Sequence, residues 1–168
     1  MELIKGNIET GGKMIVCLDP YKKDYLVLWD KKVEVIEEVE NTSYMAERFK
    51  KLPTLEEVQP LILGYYNSLC DDEIKTGLFW DGSRVWLTTE NQFNYKAAFD
   101  FAFQTKVSGG EYMPVTVKLG EEGAPVYRTF VEFDELQEFI TACFSHVQST
   151  LVKYWGIKDA IDWTLYEM

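Results

Sequence analysis

A chain of 168 residues that is 46% hydrophobic and 15% aromatic has enough apolar surface to bury a core, which excludes intrinsic disorder for most of its length. Its 28 acids against 17 bases leave a net charge of -11, spread over both halves. A chain of that sign repels phosphate backbones and shows no basic patch, so no nucleic-acid partner is expected.

Cys17, Cys70 and Cys143 are odd in number and far apart. They form neither a disulfide framework nor a metal-ligand spacing, and a reducing compartment follows. The opening MELIKGNIETGGK lacks the apolar core of a signal peptide, and no stretch of about 18 apolar residues occurs. The expectation is a chain that neither spans a membrane nor leaves by the usual secretory route.

In chain order, Met14 to Leu18, Tyr25 to Trp29 and Val33 to Ile36 are rich in β-branched and aromatic residues, interrupted by Asp19-Pro20 and Asp30-Lys31-Lys32. They read as three short strands, a small N-terminal β-meander over residues 1–40 with little to bury by itself. Residues 41–53 read as a connector, with a short helix from Ser43 to Lys51, and hold the domain boundary.

The main domain is expected over 54–168. Thr54 and Glu57 have capping-box spacing and open a helix whose buried face is Leu55, Val58, Ile62, Tyr65, Tyr66 and Leu69. Pro60 predicts a kink or a start nearer Gln59, and Cys70-Asp71-Asp72-Glu73 predicts a second short helix ending at Gly77. Leu78 to Trp80 and Arg84 to Thr88 flank Asp81-Gly82, a dipeptide suited to a tight hairpin turn.

Thr88 or Thr89 caps the next helix. There Tyr95, Ala98, Phe99, Ala102 and Phe103 cover one face, while Phe93, Ala97 and Phe101 lie nearly opposite. A helix apolar on two sides is sandwiched in a domain or shared with a partner. Met113 to Leu119 and Pro125 to Val131 predict a second hairpin around Gly120-Glu121-Glu122-Gly123. Asp134 and Gln137 then cap the longest helix, to Trp155, with Leu136, Phe139, Ile140, Cys143, Phe144, Val147, Leu151 and Tyr154 as its apolar stripe and Gly156 as its C-cap. Lys158 to Trp163 would add one more turn. Antiparallel β-hairpins packed against three main helices make this an α+β fold.

The candidate chemistry is sparse. His146, the only histidine, follows Cys143 by three residues on a helix, which admits a Cys-His pair of a small hydrolase. A helix interior supplies no oxyanion donors, however, and no orienting carboxylate stands nearby. The acids Asp71-Asp72-Glu73 and Glu121-Glu122 lack the spacing of a calcium loop, and none of the common nucleotide, hydrolase or metalloprotease motifs occurs. No catalytic, cofactor or metal residue is assigned, and no enzymatic activity is expected. Trp80, Trp86, Phe93, Tyr95 and Phe101 are the candidate contact residues, either for a protein partner or second copy, or as a glycan platform, since aromatic faces suit both.

The Trp86-Leu87 step leading from a WDG hairpin into a helix, the VTVKL and VYRTF hairpin, and the helix bearing Ala142-Cys143-Phe144-Ser145-His146 together resemble an uncharacterised domain of phage and prophage genomes. Its members often lie at the C-terminal end of tail or tail-fibre-associated proteins. The similarity covers Leu61 to Ile161, and the N-terminal meander looks like the openings of small phage proteins from gut Bacteroidetes. The family's arginine-containing helix start is replaced here by Thr89-Glu90-Asn91-Gln92. The resemblance implies a non-enzymatic structural or tail-assembly role through protein-protein contacts, in the host cytoplasm or on the virion, or recognition of a host surface. It carries no catalytic residues.

Overall fold

The structure, a computed structural model, describes all residues except Asn7, Glu9, Glu37, Glu38, Glu122 and Met168, with the backbone alone at Ile36 and Val39. Part of the acidic run after the third expected strand, and one residue of the second hairpin's turn, thus lie outside the described residues. The fold is α+β with antiparallel sheets and three long helices. The chain divides into two compact units, Met1–Tyr65 with Ala160–Met168, and Tyr66–Asp159. This division falls inside a helix.

In the first unit, strands β1 (Glu2–Lys5), β2 (Ile15–Asp19), β3 (Asp24–Ile36) and β4 (Val39–Phe49) form one antiparallel sheet in the order β1-β4-β3-β2. The expected connector and its helix over 43–51 are therefore corrected to a strand. Thr42, Tyr44 and Ala46 are buried, and this period of two places one face of β4 on the core. The two expected strands at 25–29 and 33–36 are likewise one. Asp30 takes a positive φ of 50°, and the register slips between Trp29 and Lys32, so the polar triplet is a bulge within a continuous strand. Tyr65 Oη donates to Asp30 at 2.7 Å.

Leu26, Leu28, Tyr44 and Ala46 pack together on one face of the sheet, joined by Ile4, Ile8, Met14 and Val16. Val27 and Trp29, on the other face of β3, are equally enclosed. Trp29 meets Tyr65 edge-on at 5.8 Å, and Tyr166 Oη donates to the Leu28 carbonyl at 3.0 Å. Tyr166 belongs to a 3₁₀ turn, Trp163–Tyr166, so the chain end returns to the first unit and supplies cover that the meander lacked in the sequence reading.

Asp24 is buried at the start of β3. It accepts from Arg48 Nε at 2.8 Å and pairs with Lys50 at 3.3 Å. The Arg48 hydrogen bond outweighs desolvation and holds the Asp24 carboxyl down at about 2.

Helix α1 (Leu55–Thr76) is continuous through Pro60, so the expected break and second helix are replaced by one element. Pro60, the sixth residue of α1, has no amide hydrogen to give to the carbonyl four residues earlier and its ring crowds that carbonyl, yet the helix runs on; at its start Glu57 accepts from the Thr54 amide at 3.0 Å. In the second unit, β5 (Leu78–Trp80) and β6 (Ser83–Val85) form the first hairpin, with positive φ at Asp81 and Gly82. Helix α2 (Thr89–Val107) follows, capped by Thr88. Strands β7 (Val115–Glu121) and β8 (Ala124–Phe130) form the second hairpin. Helix α3 (Phe133–Asp159) begins one residue earlier than expected and runs through Gly156, which is therefore no C-cap.

The centre of the second unit is Phe139, fully enclosed on α3. Its ring lies 5.4 Å from Trp80, 5.3 Å from Tyr95 and 5.0 Å from Phe130. One side chain thereby ties β5, α2 and β8 to α3. Phe139→Ala should cost about 3–5 kcal/mol of stability in denaturant unfolding, whereas the exposed Phe101→Ala should stay within about 0.5 kcal/mol.

The Asp24 pairing makes a pH prediction. Its folded value of about 2 lies below the ordinary 3.8, so its stabilisation is fully present above pH 4 and is lost as pH falls from about 4 towards 2. Thermal unfolding between pH 5 and 2 should show that loss in the native chain, and Asp24→Asn should flatten it.

Candidate interaction surface

The residues leading out of the first hairpin are fixed by their own backbone. Asn91 Nδ2 donates to the Trp86 carbonyl at 2.8 Å, and Gln92 Nε2 to the Leu87 carbonyl at 2.7 Å. The Thr88 hydroxyl accepts from the Asn91 amide at 3.2 Å. The Thr89-Glu90-Asn91-Gln92 helix start thus clamps the Trp86-Leu87 step with side-chain amides. Trp86 Nε1 donates to the Gly120 carbonyl at 2.6 Å, and the Arg84 guanidinium lies over its ring at 5.6 Å.

These contacts separate the five candidate aromatics. Trp80 is half-buried, edge-on to Phe139 and Phe130. Trp86 is tied to β7 through its indole nitrogen. Tyr95 is buried, and that burial, with a smaller contribution from Cys143, pushes its phenol up to about 12. Only Phe93 and Phe101 stand in solvent, 71% and 58% exposed. The stripe Phe93-Ala97-Phe101 points away from the core, and the two tryptophans are engaged by their own unit.

Two further aromatics, from the other apolar face of α2 and the apolar stripe of α3, are also exposed. Phe103 on α2 is 50% accessible and Phe144 on α3 is 64% accessible. Between the two helices runs an open groove of about 830 Å³, whose apolar walls include Phe93, Phe99 and Phe103 from α2 and Ile140, Phe144 and Val147 from α3. Its charged residues are Lys96 and Asp100, which pair with each other at 2.5 Å. The missed signal was in the composition of α3: from Phe139 to Val152 it has no Asp, Glu, Lys or Arg.

Cys143 and His146 are placed for structure. Cys143 is buried, and burial pushes its thiol up to about 12, the opposite of an activated nucleophile. His146 Nε2 lies 2.9 Å from the Glu73 carbonyl; the carbonyl only accepts, so Nε2 carries the proton. Gly77 lies against this ring, and a Cβ there would come within 2.6 Å of the Glu73 carbonyl oxygen and 3.0 Å of His146 Cε1. Glu73 is held below the usual carboxylate range by Lys153 first and also by Tyr154, whose Oη donates to it at 2.9 Å.

Among the described residues no cluster of three or more His, Cys, Asp or Glu is arranged to hold a metal ion. No helix among them is long and apolar enough to cross a membrane. A thiol reagent should distinguish the cysteines: exposed Cys17 reacts fast, while Cys70 and Cys143, both buried, react only after unfolding. Rapid modification of Cys143 in the native protein would contradict this assignment.

No family model matches the chain, and neither a curated protein nor a solved structure matches it.

Proposed function

We propose that this chain is a non-enzymatic, phage- or prophage-derived structural or tail-assembly protein that works through protein-protein contacts on α2 and α3. The observation that carries this reading is the exposed apolar surface of those helices: Phe93, Phe101, Phe103 and Phe144 are each at least half accessible. The part of this surface that lines the α2/α3 groove, including Phe93, Phe103 and Phe144, is contiguous, and a contiguous exposed apolar surface marks an interaction site. Aromatic residues also dominate the energetics of protein interfaces. The phage context comes from the resemblance of the Trp86-Leu87 hairpin and the His146-bearing helix.

The contact on the outer side of α2 uses Phe93, Ala97 and Phe101, spaced four residues apart so that they form one stripe. The test is co-expression with the products of the tail genes beside its own, followed by affinity purification. Co-elution of one of them is expected, with loss of that product from a Phe93→Glu/Phe101→Glu double variant that retains its circular dichroism and unfolding midpoint. If no such product co-elutes and the chain does not self-associate, the reading is wrong.

A further inference from the structure

We propose that α3 is a self-association face, on which a second copy of this chain packs its own α3 about a two-fold axis near Phe144 and Gln148. The inference rests on the contact-protein reading above and names one partner for it.

The first observation is charge. Residues Phe139 to Val152 are fourteen consecutive positions without Asp, Glu, Lys or Arg, in a chain that is 27% charged. About four charges would be expected there. A helix that turns only one side to its core normally carries charge on the other. On α3 the solvent side instead holds Gln137, Thr141, Phe144, Gln148, Val152 and Trp155, all exposed. Two copies at net -11 repel one another wherever charged surfaces meet. An uncharged face is where they approach with least cost.

The second observation is that the charges flanking this stretch are already engaged within the unit. Asp134 pairs with Lys106 at 3.0 Å, Glu135 with Arg128 and Lys153 with Glu73 at 2.6 Å, while Lys158 donates to Asn67 at 2.8 Å. A contact with a second copy therefore falls to the neutral middle of the helix. A two-fold arrangement also satisfies every contact twice, as a closed dimer requires.

The third observation is area. Phe93, Phe103 and Phe144, at 71%, 50% and 64% exposure, offer on the order of 400 Å² of aromatic surface. Ile140, Val147, Leu151 and Trp155 extend that surface along α3. Together they approach the roughly 800 Å² per partner that a stable interface buries. The α2/α3 groove then receives aromatic side chains of the other copy.

The experiment is sedimentation velocity on the full chain across a concentration series, with the native sequence beside three variants. The native chain should sediment as a concentration-dependent dimer. Phe144→Glu should weaken dimerisation on the order of a hundredfold, because each copy then presents a carboxylate to the other's across the axis. Gln148→Glu, a milder change at an exposed polar position, should weaken it in the same direction. Tyr127→Glu, on the β7–β8 hairpin and 68% exposed, should leave it unchanged.

A native chain that is monomeric throughout, or dimers unaffected by Phe144→Glu and Gln148→Glu, would overturn the proposal. If the chain is monomeric yet still binds a tail-gene product through Phe93 and Phe101, self-association alone fails. If neither occurs, the contact reading fails with it.

Discussion

Everything in the second unit depends on one ring being surrounded. Phe139 is reached by Trp80 from β5, Tyr95 from α2 and Phe130 from β8, so two hairpins and two helices converge on a single side chain. Edge-on and tilted aromatic pairs of this kind add about 0.5–1.5 kcal/mol each beyond the area they bury. The same convergence limits what the unit can enclose. A core centred on one ring covers only the side of each helix that faces it. On α2 that side amounts to Tyr95 and Ala102 as its buried residues. Phe93, Phe101 and Phe103 of α2 and Phe144, Val152 and Trp155 of α3 stay exposed, while Phe99 is stacked on Phe133 at 5.6 Å.

The first unit solves burial differently. Its central strand β3 is enclosed on both faces, with Leu26 and Leu28 on one and Val27 and Trp29 on the other, and cover comes from residues distant in sequence. Leu165 accepts from the Met14 amide at 2.9 Å, and Tyr166 caps the Leu28 carbonyl. Asp24 then carries a buried charge at the start of this strand. It is satisfied by Arg48 and Lys50 from β4 and the residue just after it, so the ion pair also fixes the register of the β3–β4 pairing. Beyond the Asp30 bulge the same strand leaves its cover, and Val33 and Val35 become half or more exposed.

Much of this was legible in the chain where local chemistry decides the structure. The Asp81-Gly82 turn, the Thr54–Glu57 cap, the Thr88 cap and the two-sided character of α2 all follow from short-range rules. The misreadings occurred where tertiary partners override those rules. Asp30-Lys31-Lys32 looks like a strand break, but a bulge with a tyrosine and a lysine on its carboxylate carries the strand through. Residues 41–49 have helix-compatible composition, yet pairing with β3 on one side and β1 on the other makes them a strand, and their alternation at Thr42, Tyr44 and Ala46 was the available clue. Pro60 looks like a helix break, yet α1 runs through it from Leu55 to Thr76. For the candidate surface, periodicity ranked Phe144 with the core because it shares a stripe with Phe139 and Cys143. Tertiary packing separates it from them: Phe139 and Cys143 are buried, whereas Phe144 is 64% exposed.

The absence of charge from Phe139 to Val152 on α3 has a physical logic beyond simple hydrophobicity. A face built only of leucine and phenylalanine would be a permanent aggregation hazard in the free chain. One built of lysine and glutamate would carry a desolvation cost at every contact. Gln137, Thr141, Ser145, Gln148 and Ser149, interspersed with Phe144, Leu151, Val152 and Trp155, avoid both. The amides and hydroxyls keep the free surface hydrated and lose little when water is displaced, provided each finds a partner or a bridging water. In the proposed contact the few large apolar residues carry the energy. A surface of this composition suits an association that forms and releases more than one fixed as part of a permanent core.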